Sequence, residues 1–571
     1  MIVGIDLGTT NSLVSVWKDG RAQLIPNGLG EFLTPSCVSL DGDGSVLVGV
    51  AARERLQTHP DRSAALFKRY MGSNKTLRLG KRDFRPEVLS SFILKSLKAD
   101  AEAALGEPVT EAIITVPAYF SDAQRKATRA AGQLAGLKVD RLLNEPTAAA
   151  LAYGIHQRDA ESRFLVFDLG GGTFDVSILQ MYDGVMEVRA SAGDNFLGGE
   201  DFVQALVELF FRRLALPEAL RQDSGFMQRL SAQAEFAKRA LSTQASARMR
   251  VRDRDTEHVL EIDEPTLEEA GRPLFARLRA PVERALRDAN LRSSELDNVV
   301  LAGGATRMPL VRKLATTMFG RFPSIDINPD EVVALGVAVQ AGLKARDAAL
   351  SEIVMTDVAP YSLGVAIAVR LDERESSSGH FDPIIERNSA VPISRVKQYY
   401  PMNSESRSAD LQIYQGEARL VRDNIHLGNL QVPLPAGREQ DRAVDVRFTY
   451  DVNGLLQVEA TVGKTGQTYA IVIEGNPGVL TEQEIEMRLR ELAQIKVHPR
   501  DQTENRALLA RAERLFEQSR ADERAWLGQQ IMQFERLLAT QDARRIGPAQ
   551  REFRAMLDHL ERDSFLDGGP R

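Results

Sequence analysis

Asp6, Gly8, Thr9 and Thr10 follow the apolar run Val3-Gly4-Ile5 and precede a second run, Leu13-Val14-Ser15-Val16-Trp17. Two short runs joined by an acid, a glycine and paired hydroxyls predict a hairpin with a tight turn. Such a turn suits a phosphate. Glycine leaves backbone N–H groups open to an anion, threonine hydroxyls add donors, and an aspartate can hold a hydrated magnesium ion. The same residues also make an ordinary hairpin, and one copy does not separate the two readings. The chain carries the design twice. Phe164-Leu165-Val166-Phe167 leads into Asp168, then Gly170-Gly171-Gly172-Thr173, then Phe174-Asp175-Val176-Ser177-Ile178. A duplicated domain can bring two phosphate turns and two carboxylates, Asp6 and Asp168, to face each other across a cleft.

The elements that must carry these turns read as alternating strands and helices from residue 1 to about 350, the pattern of an α/β protein. Ala112 to Val116 is a strand stopped by Pro117, and Ser121-Asp122-Ala123-Gln124-Arg125-Lys126-Ala127 reads as a capped helix start. Val299-Val300-Leu301-Ala302 ends in a third glycine turn, Gly303-Gly304-Ala305-Thr306-Arg307, where backbone donors and Arg307 can meet a nucleotide. A plain strand-to-helix turn has the same form. Glu235, Lys238, Arg239 and Ser242 share a helical face at spacings of three and four, which by itself predicts a solvated face. No G-x-x-x-x-G-K-[ST] run occurs, so a P-loop is excluded.

A chain of 571 residues exceeds one core and predicts about four units or subdomains. It is 43% hydrophobic and 26% charged, and its 72 basic against 79 acidic residues leave a net charge of -7, which argues against nucleic acid as a partner. A single cysteine, Cys37, excludes an internal disulfide framework, and the histidines lack metal-ligand spacing. The first strand starts at Ile2, leaving no room for a signal peptide, and the apolar runs fall short of the roughly 20 residues that span a bilayer, so the expected location is cytoplasmic.

Near Ser351 the composition shifts. Ser351 to Pro360 is a short apolar strip between acids, read as a linker, and the chain beyond it is β-rich. Val444 to Val452, the turn pair Asn453-Gly454, and Leu455 to Val462 predict a hairpin with one apolar face. Ser376 to His380 and Asn403 to Ser406 are expected as exposed loops of a sandwich. From Thr481 the pattern turns helical: a capping box with Glu484 opens the stripe Ile485, Leu489, Leu492 and Ile495. A second stripe holds Leu527, Ile531, Phe534 and Leu538, and a third, after Gly547-Pro548, holds Phe553, Leu557 and Leu560. Asp563 to Arg571 reads as a loose tail.

Five motifs then stand in one order: Ile5-Asp6-Leu7-Gly8-Thr9-Thr10-Asn11-Ser12, Val116-Pro117-Ala118-Tyr119-Phe120, Asn144-Glu145-Pro146-Thr147-Ala148-Ala149-Ala150, Asp168 to Thr173, and Leu197-Gly198-Gly199-Glu200-Asp201-Phe202. With them the chain resembles, over nearly its whole length, the seventy-kilodalton heat-shock chaperones of the DnaK type. The resemblance implies an α/β actin-like ATPase domain, duplicated and two-lobed, at residues 1–350, a linker at 351–359, a β-sandwich peptide-binding domain at 360–477, a short α-helical lid at 478–562 and a tail at 563–571. It implies an ATP-dependent chaperone that uses ATP/ADP and Mg2+ and binds extended apolar segments of client polypeptides. A J-domain co-chaperone and a nucleotide exchange factor are the implied partners.

Carried over residue by residue, the resemblance gives Gly8, Thr9, Thr10, Gly170, Gly171, Gly172 and Thr173 to the phosphates, and Asp6 and Asp168 to magnesium through water. Lys68 matches the catalytic lysine, with Glu145, Asp168 and Thr173 near the attacking water and the γ-phosphate. Gly198 and Gly199 join the nucleotide set. Glu235, Lys238, Arg239, Ser242, Gly303, Gly304 and Arg307 would enclose the adenosine, which overturns the solvated-face reading. Pro117, Arg125, Val354, Met355 and Asp357 would couple the domains, and Arg141 with Asp357 would receive the J-domain. Val365, Ala368, Tyr399, Met402 and Ala409 fall where the family binds peptide.

Three departures from the family pattern carry expectations. Val354-Met355-Thr356 precedes Asp357 where leucines are usual, which predicts weaker or retuned coupling. Ala305 stands where serine is usual and forgoes one hydrogen bond to nucleotide. The segment between Gly72 and Pro86 is short, the lid is brief, and no long acidic or Gly-rich tail follows. Together these features resemble the HscC subtype. Two other readings stand beside the chaperone: a sugar or acetate kinase, against which the β-rich half argues, and a non-cycling regulator or exchange factor that binds ATP structurally.

Overall fold

The opening hairpin sets the pattern of the first sheet. β1 (Ile2–Asp6) pairs antiparallel with β2 (Asn11–Lys18), Asp6 opposite Leu13, and β2 continues antiparallel into β3 (Arg21–Ile25). On the other side of β1 lies β4 (Glu111–Val116), parallel to it, and then β5 (Leu142–Asn144). The second sheet repeats this plan. β6 (Ser162–Leu169) pairs antiparallel with β7 (Phe174–Tyr182), which pairs with β8 (Val185–Asp194), while β9 (Asn298–Ala302) runs parallel on the far side of β6. The order β4-β1-β2-β3 is matched by β9-β6-β7-β8, so each glycine turn closes the same hairpin beside the same parallel strand.

This computed structural model describes the chain except residues 155–160, 183–184, 255, 325, 348–349, 351–353, 371–375, 402–405, 452–453, 474–502, 520 and 567–571. It divides into two units, Met1–Tyr361 and Ser362–Arg571. In the first unit, α1 (Asp122–Leu134) starts where its cap predicts: the Gln124 side chain accepts from the Ser121 N–H at 2.9 Å. α2 (Glu145–Gly154), α3 (Gly199–Arg213), α4 (Ser224–Ala240), α5 (Glu264–Asp288), α6 (Pro309–Phe319) and α7 (Val332–Lys344) follow. The alanines of α2 and the valines of α7 share one core with Ile113 and Leu143 of the first sheet and Phe164 and Val166 of the second. Small residues permit that contact, and filling it would force the helices apart at a cost of about 1–3 kcal/mol.

Residues 354–358, expected in a linker, form β10 (Val354–Val358), which runs parallel to β8 with Val354 opposite Val185, Met355 opposite Met186 and Thr356 opposite Glu187. No helix among the described residues is long and apolar enough to cross a membrane.

The second unit holds two four-stranded antiparallel sheets. One has β11 (Leu363–Arg370) between β12 (Ser376–Ile385) and β14 (Ser408–Gln415), with β15 (Ile425–Pro433) beyond; the other runs from β13 (Ile393–Tyr399) through β16 (Val444–Tyr450) and β17 (Leu456–Val462) to β18 (Thr468–Ile473). The predicted β16–β17 hairpin is present; Asn453 of its turn lies outside the described residues. Ser376 to His380 is a correction: these residues are strand, with His380 opposite Ile367, because the ladder satisfies the backbone that polar composition had assigned to a loop. Of the other expected loop, Asn403 to Glu405 lie outside the described residues, as do Thr481 to Ile495.

α8 (Thr503–Gln518), α9 (Ala521–Ala539) and α10 (Ala543–Leu566) complete the unit. Leu527, Ile531, Phe534 and Leu538 meet Phe553 and Leu557 in one core, with the Phe534 and Phe553 rings stacked at 4.4 Å. α10 differs from expectation at both ends. It begins before Gly547-Pro548, where burial of Ile546 offsets the hydrogen bond that proline removes, and it continues to Leu566, past the expected start of the tail at Asp563.

Candidate functional site

The two glycine turns touch. A Cβ on Gly171 would lie 1.9 Å from Thr10 Oγ1, so only glycine fits there and the turns stand face to face. The start of α3 holds the second turn from behind: the Gly199 N–H donates to Gly170 O and the Glu200 N–H to Gly171 O, both at 2.9 Å. The third turn leaves β9 at Gly303, whose φ of 81° is a left-handed backbone beside the Leu169 carbonyl and the Asp168 carboxylate.

Between the turns opens a cleft of about 400 Å³. Asp6, Lys68, Glu145 and Asp168 line its floor, and Gly8, Thr9, Thr10, Gly170, Gly171 and Thr173 line the side formed by the two turns. Its outer wall is Gly199, Glu235, Lys238, Arg239, Ser242, Gly303, Gly304 and Arg307. The helical face expected from spacing alone to be solvated thus faces the cleft, and Lys238 is buried, its Nζ donating to Gly199 O at 3.0 Å and pairing with Glu235 at 2.6 Å. Gly172 and Gly198 do not line the cleft; they lie behind it, close enough that a Cβ on Gly198 would reach the Gly172 nitrogen at 2.5 Å.

Negative charge is concentrated on the floor. Lys68 is buried and donates to Glu145 Oε1 at 2.7 Å, while Asp6 Oδ1 accepts from Thr115 Oγ1 at 2.7 Å. Desolvation, then the Glu145 charge, push the Asp6 carboxyl up to about 6 against the opposing pull of Lys68 and Thr115. Asp168 is raised well above the carboxylate range by burial and by Glu145, Asp175 and Asp6. Asp175, opposite Asp168 across the hairpin, is pushed up to about 7 by burial and then by Glu145. Acids that raise one another's proton affinity in a dry cleft are a ready site for a hard cation. The acidic side chains that face the cleft, Asp6, Glu145 and Asp168 among them, offer oxygen donors, which fits magnesium. Among the described residues no three His, Cys, Asp or Glu side chains converge on one point.

Residues that sequence reasoning missed gather around this floor. Asp175 accepts from the Tyr119 N–H at 3.1 Å; its signal was available, since the hairpin register makes it the partner of Asp168. Arg69 pairs with Asp201 at 2.8 Å, and Asp330 holds Arg307 at 2.7 Å. Neither pair had a local signature.

Of the expected coupling residues, Arg125 and Asp357 meet through Asn144 at the edge of the first sheet. Pro117 ends β4, and Arg125 donates to Ala118 O at 3.0 Å and to Asn144 Oδ1 at 2.8 Å. Asn144 Nδ2 in turn donates to both carboxylate oxygens of Asp357, at 3.1 and 2.9 Å. Burial raises the Asp357 carboxyl, opposed by the charges of Arg125 and Arg141. Because Asn144 immediately precedes Glu145, β10 is tied to the cleft floor through two side chains. In the second unit Val365 is fully buried and Ala368 half-buried on β11, and Tyr399 closes β13. Tyr399 donates to Asp382, the register partner of Val365, at 2.7 Å; Ala409 pairs with Val432, and Met402 lies outside the described residues.

The chain matches the family model described as Hsp70 protein at residues 2–78 and 73–556. It is similar to the chaperone protein DnaK of Thermotoga neapolitana, 39% identical over 506 residues that cover 86% of this chain and 83% of the relative. The DnaK proteins of Thermotoga petrophila and of Thermotoga sp. strain RQ2 match at the same identity and coverage.

Proposed function

This chain belongs to the Hsp70 family, and from that premise we propose that it is an ATP-dependent chaperone, binding extended apolar segments of client polypeptides with an affinity that ATP binding and hydrolysis switch. The observation that carries this reading is the pair of apposed glycine turns above Asp6 and Asp168. Phosphoryl transfer to water needs charge neutralisation and alignment rather than covalent catalysis. Magnesium, when bound, supplies part of that neutralisation, with Asp6 and Asp168 holding its water. Lys68 neutralises phosphate charge and is held in place by Glu145. Glu145 and Asp168 orient the attacking water, and the Thr173 hydroxyl meets the γ-phosphate. Glu235, Lys238, Arg239, Ser242, Gly303, Gly304 and Arg307 hold the adenosine, with Ala305 forgoing the hydrogen bond that a serine would make.

The residues around 351–359 act as the linker whose pairing with β8 changes with nucleotide, the two β-sheets of residues 360–477 as a peptide-binding sandwich around Val365, Ala368, Tyr399, Met402 and Ala409, and the helices to residue 562 as its lid. Arg141 and Asp357 receive a J-domain partner, and exchange of nucleotide calls for a second. The single cysteine and the lack of a membrane-spanning helix among the described residues support a cytoplasmic location. Thr356 supports the HscC subtype: its hydroxyl is buried without a hydrogen-bond partner among the described residues, which weakens β10 as a docked strand. The same observation favours, as a second reading, a relative that binds ATP without cycling.

ATP turnover and release of a fluorescent peptide, measured together on the wild type and on Lys68→Ala, test the proposal. ATP accelerates peptide release in both proteins, and Lys68→Ala lowers turnover roughly a hundredfold or more. Peptide release indifferent to ATP would sink the switch, and phosphorylation of a sugar would favour the kinase.

A further inference from the structure

Among the described residues β13 is the end strand of its sheet, paired along one side with β16. Val396 stands opposite Arg447 in that pairing, and its own N–H and C=O are taken from the other side by one side chain. The Val396 N–H donates to Gln541 Oε1 at 3.2 Å, and Gln541 Nε2 donates to Val396 O at 3.0 Å. A primary amide carries the donor and acceptor of a peptide group, so Gln541 does at one residue what an added strand would do along the edge. Arg395 beside it donates to the Thr540 carbonyl, and the charges of Asp542 and then Glu386 favour its cation. Gln541 lies in the turn between α9 and α10 with φ of 54°, a left-handed backbone that glycine adopts more readily. A strained residue is retained where the surrounding structure uses it, and here its side chain is what is used.

We propose that the outer edge of β13 at Val396 is a docking site for an extended polypeptide segment that carries an acidic residue, and that Gln541 masks this edge as an intramolecular competitor. The partner class follows from the chemistry. The edge presents backbone donors and acceptors at strand spacing, which an extended chain satisfies. Arg395 loses Asp542 when the turn leaves, and an acid on the incoming segment replaces it. The site is distinct from the groove proposed around Val365 and Tyr399: it is on the strand edge, and Tyr399 lies about 10 Å further along β13.

Hydrogen exchange at the Val396 amide in the full-length protein reads the edge directly. The probe is a soluble heptapeptide of alternating valine and threonine with one aspartate. Gln541→Gly removes the amide while relaxing the left-handed turn, and Gln541→Ala removes it without that relief, so the two variants separate loss of the mask from a change in the turn. In both, Val396 exchanges about tenfold faster than in the wild type, the effect of two lost hydrogen bonds. Saturating peptide restores protection at Val396, and a heptapeptide with lysine for aspartate, or the added change Arg395→Ala, restores about tenfold less. Unchanged exchange in both variants would show that Gln541 masks nothing. Faster exchange that the aspartate peptide leaves fast would make the contact a clamp for the helices alone, and the docking site would be wrong.

Discussion

At the scale of single residues the cleft is set by a surplus of acid. Asp6, Glu145, Asp168 and Asp175 surround one buried ammonium, Lys68, and three of the four carboxyls are pushed upward. The consequence for stability has a definite sign. An Asp175 carboxyl that titrates near 7 in the folded protein and near 3.8 when unfolded binds its proton more tightly in the fold, so stability falls as pH rises from about 4 to about 7 and stays lowered above it. Asp175→Asn keeps an oxygen for the Tyr119 N–H and removes the titration. In nucleotide-free, metal-free protein its thermal unfolding temperature gains steadily on the wild type between pH 4 and 7.5, by an amount worth up to about 4 kcal/mol. Parallel curves would show that the acids do not share the cleft in this way. The residue scale is also where sequence reading reached least. Lys68 has no local signature and entered through family resemblance alone, and Asp175 was passed over although its place in the hairpin was readable from the register. The duplicated turns, by contrast, were legible because each needs several residue types in a fixed order.

At the scale of elements, periodicity and capping identified what was local. The Ser121 helix start and the β16–β17 hairpin are satisfied within a few residues of themselves, and the stripes on α9 and α10 are legible from their period although they pack against each other. Ser376 to His380 and the span around Gly547-Pro548 misled because their fate depends on a partner strand and a distant core. β10 is the element to which the proposed coupling is assigned, and it is weakly built. Thr356 faces Glu187 across the pairing with β8 and leaves its hydroxyl buried and unmatched among the described residues. Thr356→Val keeps the shape and removes the orphan oxygen, so the strand gains about 1–3 kcal/mol. Amide exchange at residues 354–358 slows accordingly, and ATP changes peptide release by a larger factor than in the wild type. Faster exchange in the variant would mean that the hydroxyl has an unseen use.

At the scale of the whole molecule the question is how much free energy passes between nucleotide and peptide. If ATP weakens peptide binding by some factor, peptide must weaken ATP binding by the same factor, whatever the route. The contacts of the first unit suit a route: Glu145 follows Asn144, Arg125 and Asp357 both bond Asn144, and the charges of Arg125 and Arg141 favour the Asp357 carboxylate. Asp357→Asn retains an oxygen for Asn144 but gives up the charge that the two arginines face. Asn144, Asp357, Arg125 and Arg141 do not line the cleft, so the variant binds ATP alone, and peptide alone, about as tightly as the wild type. The change appears only when both are present. Coupling of this kind is typically worth about 1–3 kcal/mol, and its loss brings the ratio of peptide affinities with and without ATP towards one. Titrating each ligand at saturating levels of the other measures that ratio twice. The two values agree for either protein by linkage, and an Asp357→Asn ratio equal to that of the wild type would move the route elsewhere.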